Sequence, residues 1–520
     1  MRVNEIQKLS ALSGALVLAL ACNAAHAGER EELETLRQTT VGLIQALVQQ
    51  GFLTQEKADQ LLKSAAAPAA ALAPAKPEPP VVRVPYVPES VKKQIADQVR
   101  EEVVAQAKAE RWGDANAIPE WVDRVKIEGE FRVGYQGERY ATGNAASAAF
   151  LQANGQNIND MEDDRDRLRM RARLGVNAKV TPELSTVLRL TTGSNSDPLS
   201  TSQTLGVSAN KYNFALDRAY LRYHSDDNYP WLSVTAGRMP NPWFSTDLVW
   251  NENLSFEGFA LTVDPAAKTN NELRPFFGAG IFPLQDIETN ASVKTKSKWL
   301  YGAQVGLEWV KDSNARAKFG LAYYDFSNIS AQRNDFSPST PQPYDQSVPA
   351  FRQKGNTLFD IRNDGTNNTL YGLAADYKLL NLTAMVDLNL YNPVHVIATA
   401  DYVKNVGFDQ ARVLERSGQN IEPATTGYMA RLAVGMPGML LRDDWQLSVA
   451  YRYLEADAVV DAYTDSDFHM GGTNNKGIIL GAQYGLGRNT WVSARWLSSN
   501  EISGPPLSVN MLQVYLNAKF

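Results

Sequence analysis

Arg167, Arg169, Arg171 and Arg173 occupy every second position of RLRMRARLGVNAKV. No covalent reaction needs guanidinium groups in such a row, so their chemistry is electrostatic. On a strand they form a single ladder about 20 Å long on one face. Arg189, Arg218 and Arg222 have the same facing on the two strands that follow. Glu128, Glu130 and Arg132 have it on the strand before, with mixed sign. Such a wall attracts anions or orients a polar solute. The same arginines would also suit a filled, wet interior, paired to Asp163, Asp164 and Asp166. A second charged candidate is PNPWFSTDLVWNEN, carrying Asp247 and Glu252. Folded inward, it would set these carboxylates against the arginines and create a transverse field. Packing of its prolines and tryptophans at a rim is the alternative, and Leu248 and Val249 point to some burial.

The usual reactive constellations are absent. There is no P-loop, no HExxH and no GxSxG. The one cysteine, Cys22, lies in the leader described below. Of the four histidines, His224 and His395 have the same facing as the charged wall and read as lining side chains. Asp461, Asp465 and Asp467 lie in a long loop at a spacing that fits no standard Ca²⁺ loop, so they read as solvated acids. No catalytic residue, cofactor or metal is expected. The net charge of -6 and the lack of a basic stripe interleaved with aromatics argue against nucleic acid.

The elements that must position these residues follow from period. From about Val125 onward apolar and polar residues alternate, as in VKIEGEFRVGY, WLYGAQVGLEWV and WQLSVAYRY. That is the pattern of strands with two unlike faces. Three features favour a transmembrane barrel over a sandwich. The polar face carries long charged side chains, and on a lipid face each arginine would cost about 2–4 kcal/mol near the midplane. Aromatics such as Trp231, Trp309, Tyr323, Tyr484 and Trp496 gather at strand ends. Connections alternate between short turns such as TPE and LGRN and long loops such as 327–368. No mature apolar run reaches the roughly 20 residues of a membrane helix, so a spanning structure must be a closed barrel. The count is about sixteen antiparallel strands over 123–520, wide enough for an aqueous channel. It reads 369–390 as one strand with a bulge near Leu380, where the apolar parity flips.

Four segments precede the barrel. Residues 1–27 read as a signal peptide with Arg2 and Lys8, an apolar core and AHA as the cleavage site. Acylation of Cys22 is the alternative, although the preceding ALA lacks the usual leucine. Either way the chain leaves the cytoplasm. Residues 28–64 show 3,4-spaced apolar positions of a helical, coiled-coil-like segment. Residues 65–88 are an Ala/Pro-rich linker, and 89–122 hold a second helix and lead-in. The helices suit a solvated spacer or an oligomeric seam.

Taken together, the leader, the helical preface, RLRMRARLGVNAKV followed by LRLTTGSNSDP, GRMPNPWFSTDLVWNENLSFEGFAL, PVHVIATADYVKNVGFD and the terminal aromatic resemble the "putative porin" family of the Gram-negative outer membrane. The resemblance covers nearly the whole mature chain. It implies a passive channel for small hydrophilic solutes, with helices in the periplasm and a homotrimer by similarity to sixteen-stranded porins. It also implies that Phe520 resembles the signal read by the outer-membrane assembly machinery, with lipid covering its ring. A structural tether, binding peptidoglycan or partners through the helices, is the alternative function.

Overall fold

The computed structural model describes residues 124–154, 163–265, 267, 271–311, 314–334, 342–362 and 369–520. The expected leader, both helical segments and the linker lie outside the described residues.

The period-two runs form the wall. In chain order its strands are β1 Val125–Tyr140, β2 Arg165–Lys179, β3 Leu184–Thr191, β4 Ala215–Ser225, β5 Tyr229–Pro240, β6 Ser255–Val263, β7 Leu273–Gln285 and β8 Lys298–Lys311. They continue as β9 Ala315–Ser327, β10 Tyr377–Tyr391, β11 Val394–Asn405, β12 Thr426–Gly435, β13 Trp445–Leu454, β14 Asn475–Gly487, β15 Thr490–Glu501 and β16 Ser508–Lys519. Each pairs antiparallel with its sequence neighbours. β16 pairs with β1 from Glu130↔Lys519 to Tyr140↔Val509, so the sixteen strands close. A two-residue strand, Gln203–Thr204, adds a short pairing to β2 at Arg169 and Met170.

Closure sorts the side chains. Leu168, Leu221, Val305, Leu447 and Leu516 are exposed on the outer face, with the rings of Trp231, Tyr323, Tyr484 and Trp496. So much exposed apolar surface suits hydrocarbon rather than water, with the rings at its interfaces. Closure also leaves no unpaired strand edge in the wall, which a lipid environment requires.

Residues 369–390 do not form one bulged strand. β10 begins at Tyr377 and pairs with β9 without a register shift from Phe326↔Tyr377 to Ala315↔Leu388. The apolar residues before it belong to the long loop, where Tyr371–Leu373 pairs with Leu358–Asp360 in a separate sheet. Leu373, Ala374 and Ala375 are buried in that loop's core. The flip in parity marks a change of element.

The hydrophobic core lies inside the barrel. Trp243, Leu248, Val249 and Trp250 from the loop after β5 cluster with Phe282, Tyr324, Phe326 and Tyr377 from the wall. Ala458, Val459, Val460 and Ala462 from the loop after β13 join the same cluster. Trp250 meets Tyr324 edge-on at 5.1 Å and stacks on Phe326 at 5.9 Å. Glycine makes the space for Trp243. A Cβ at Gly302 would lie 2.7 Å from the indole and 3.0 Å from the Tyr324 ring. These loops fill one side of the lumen and leave the space against β12–β16, β1 and β2.

Candidate functional site

A cavity of about 840 Å³ occupies that space. Its lining runs from Tyr140 and Asp163 at the loop end of the wall to Trp491 and Asn517 near the turn end. Register sets its inner surface in rows. One row is Arg171, Arg132, Asn517 and Trp491. The next is Arg169, Gly134, Tyr515 and Ser493, and the next is Arg167, Gln136, Gln513 and Arg495.

Pairing divides the arginines. Arg167 contacts Glu138, and Arg171 contacts Glu130. Arg173 lies 3.6 Å from Glu130 and donates to Asn253 Oδ1 at 2.7 Å. Arg189 pairs with Asp217 at 2.5 Å. Arg169 instead donates to the neutral Gln136 Oε1 at 2.7 Å, and Arg132 to Asn517 Oδ1 at 2.9 Å. The Arg132 guanidinium sits 5.3 Å from the centroid of the Tyr515 ring, which lies across Gly134; a Cβ there would be 2.7 Å from that ring. Arg222 donates to Ser233 Oγ at 2.9 Å, Glu128 is exposed, and Arg218 has no carboxylate within 4.0 Å among the described residues. Asp164 and Asp166 do not serve the ladder, because both pair with Arg139, at 3.6 and 2.7 Å.

The loop after β5 crosses the interior. Gln304 on β8 holds the Phe244 backbone by two hydrogen bonds of 2.8 Å, donating to its carbonyl and accepting from its N–H. Thr246 donates through Oγ1 to Asp401 at 2.6 Å. Near the β6 end of the loop Asn253 receives Arg173, and Asp247 and Glu252 line the cavity. Burial, then the charge of Asp465, then that of Glu252, raise the Asp247 carboxyl to about 7, against the opposing pull of Arg495 and Arg452.

Of the three acids expected to be solvated in the loop after β13, two are buried and the third, Asp467, is partly exposed to the cavity. Asp461 and Asp465 are buried, Asp465 lies 3.5 Å from Arg452, and Asp467 lies 3.4 Å from Arg495. The loop folds into the barrel and carries them with it. Among the described residues no cluster of three acids or histidines suits a metal ion. His224 donates through Nδ1 to Leu232 O at 3.0 Å, and His395 lies 2.7 Å from Asp387.

Several lining residues escape the sequence reading. Arg431 and Arg495 stand at inward parity in TGYMARLAVGM and WVSARWL, so the signal was present. Asp217 reaches Arg189 through a bulge, a register shift between Arg189 and Leu190 that parity does not reveal. At the seam, Phe520 is 74% exposed and its ring covers Gly129, with which it exchanges backbone hydrogen bonds of 2.9 and 3.1 Å.

No protein of curated function matches the chain. Solved structures similar to it include OprB of Pseudomonas putida, at 12% identity and TM-score 0.44, covering 79% of this chain and 97% of that one. A loop-deletion mutant of OmpT from Vibrio cholerae aligns at 11% identity and TM-score 0.40, covering 76% and 99%. The outer membrane channel DcaP of Acinetobacter baumannii aligns at 10% identity and TM-score 0.39, covering 76% and 97%. A family model described as "Putative porin" matches residues 37–520, and the chain belongs to this porin family.

Proposed function

We propose that the protein is a passive diffusion channel of the Gram-negative outer membrane, taking small hydrophilic solutes through a lumen with an arginine-bearing wall. The observation that carries this reading is one charged cavity lined from the loop end to the turn end of a closed barrel. The inward loop with Asp247 and Glu252 acts as the constriction. Its anchoring to Gln304 and Asp401 supports a fixed narrowing rather than a swinging lid. No chemistry takes place; solutes move down their gradients. The assembly is a homotrimer with its N-terminal helices in the periplasm. Phe520 serves the outer-membrane assembly machinery before lipid covers it.

Purified protein in planar bilayers tests the reading. Stepwise ion conductance is expected, in groups of three equal steps for a trimer. A sealed barrel that pulls down peptidoglycan would overturn the channel in favour of a tether.

A further inference from the structure

Charges of both signs are left over in the same cavity. Among the described residues Arg132 and Arg169 have no carboxylate within 4.0 Å, and Asp247 and Glu252 have no cationic group within that distance. Two of the left-over cations stand on β1 and β2, held by the neutral Asn517 and Gln136. Arg431 on β12 also lines the cavity with no carboxylate within 4.0 Å among the described residues, and Asp247 and Glu252 are among the charges acting on it. The anions stand on the inward loop. Glu252 is among the charges acting on Arg132, so the gap between the two edges is short on an electrostatic scale. Elsewhere in this lumen opposite charges are in contact: Arg167 with Glu138, Arg171 with Glu130, Arg495 with Asp467. Here both signs line the same cavity of about 840 Å³ without coming within 4.0 Å of each other.

Such an arrangement discriminates by charge pattern. A simple anion gains at the guanidiniums and loses at the carboxylates, and a simple cation does the reverse. A solute carrying both charges gains at both edges when it lies across the gap. The guanidinium forks suit a carboxylate, and the exposed Glu252 suits an ammonium group.

We propose that this lumen prefers small zwitterions of amino-acid size, with the carboxylate at Arg132 and Arg169 and the ammonium at Asp247 and Glu252. This rests on the channel reading above and names its solute class. A fixed loop makes the edges permanent, so the preference needs no conformational change.

Osmotic swelling of proteoliposomes bearing the full-length protein at pH 8, where Asp247 is ionised, tests this. The readout is the entry rate of L-alanine divided by that of lactamide, an uncharged solute of similar size. Two opposed contacts in screened water should favour alanine about fivefold at low salt, falling as added KCl shortens the Debye length. Arg132→Gln with Arg169→Gln, or Asp247→Asn with Glu252→Gln, should each bring the ratio towards one. Because the ratio is taken within one preparation, poor folding of a variant cancels. Lactate should gain less than alanine in the wild type. Equal rates for alanine and lactamide, or an advantage that survives both double substitutions or high salt, would overturn the zwitterion site while leaving the channel intact. Entry of neither solute would remove the channel and the site together.

Discussion

The division between paired and unpaired arginines makes a quantitative prediction for ion selectivity. Arg169→Gln removes a guanidinium whose described partner is a neutral amide. A unit charge about 5 Å from a passing ion is worth roughly 0.8 kcal/mol in water and roughly 0.5 kcal/mol after screening at 0.1 M salt. That enriches anions about twofold and depletes cations about twofold, so the Cl⁻/K⁺ permeability ratio should fall about fivefold. The double substitution Glu130→Gln with Arg171→Gln removes a contacting pair and leaves the net lumen charge unchanged. Its ratio should stay near the wild-type value, because two arginines sharing Glu130 become one arginine, Arg173, held only by the neutral Asn253 at 2.7 Å. Arg171→Gln alone takes from the largely buried Glu130 its contacting partner, and roughly 1–3 kcal/mol of stability should go with it. The assay is the zero-current potential of single channels across a KCl gradient, with denaturant unfolding for the stability arm. Equal shifts in Arg169→Gln and in the charge-neutral double variant, or no shift in either, would refute the accounting.

Raising the pH from 6 to 8 should lower anion preference, because Asp247, held at about 7, is uncharged below that value and ionised above it. Asp247→Asn should flatten this dependence of the zero-current potential. Trp250→Ala empties a buried site between Tyr324 and Phe326, at a cost of about 3–5 kcal/mol to the loop core. Wider and noisier single-channel currents are expected, with the strand signal in circular dichroism retained. Deleting Phe520 should reduce the amount of protein in the outer membrane more than it changes the conductance of barrels that form. Gly129→Val, which denies the ring its seat, should weaken resistance of the folded barrel to SDS without adding to the effect of the deletion.

The wall was legible in the sequence because a barrel repeats one simple rule. Alternation names the face of each side chain, and Leu168 with Leu174 outside leaves the Arg167–Arg173 ladder inside. The loops obey no such period. Tyr371 and Leu373 mimic a strand because they are one, but in a loop sheet rather than the wall. Asp465 looks solvated because acids in loops usually are, yet its loop returns into the barrel and is held at Asp247 O through the Asp465 N–H at 3.2 Å. The glycines facing Trp243 were a readable sign of close approach, since Gly302 has inward parity in a strand otherwise rich in large residues.

Facing and pairing are different kinds of information, and function here depends on the second. Parity places Arg167, Arg169, Arg171 and Arg173 on one surface and treats them alike. Register then sets Glu130 directly across from Arg173 and Gly134 directly across from Arg169. A carboxylate on β1 therefore neutralises one part of the ladder, while a glycine leaves another part facing a tyrosine ring and open space. The loop repeats the logic: Asn253 meets the paired arginines with a neutral amide, and Glu252, one residue earlier, presents its charge to the cavity. The charge that a solute meets is what pairing leaves over. Glycine at 134 cannot give way to a carboxylate, because a Cβ there would collide with the Val514 carbonyl oxygen and lie 2.7 Å from Tyr515. The seam between β1 and β16 therefore leaves Arg169 without a charge across from it, and that exclusion, not the number of arginines, decides where free charge stands in the channel.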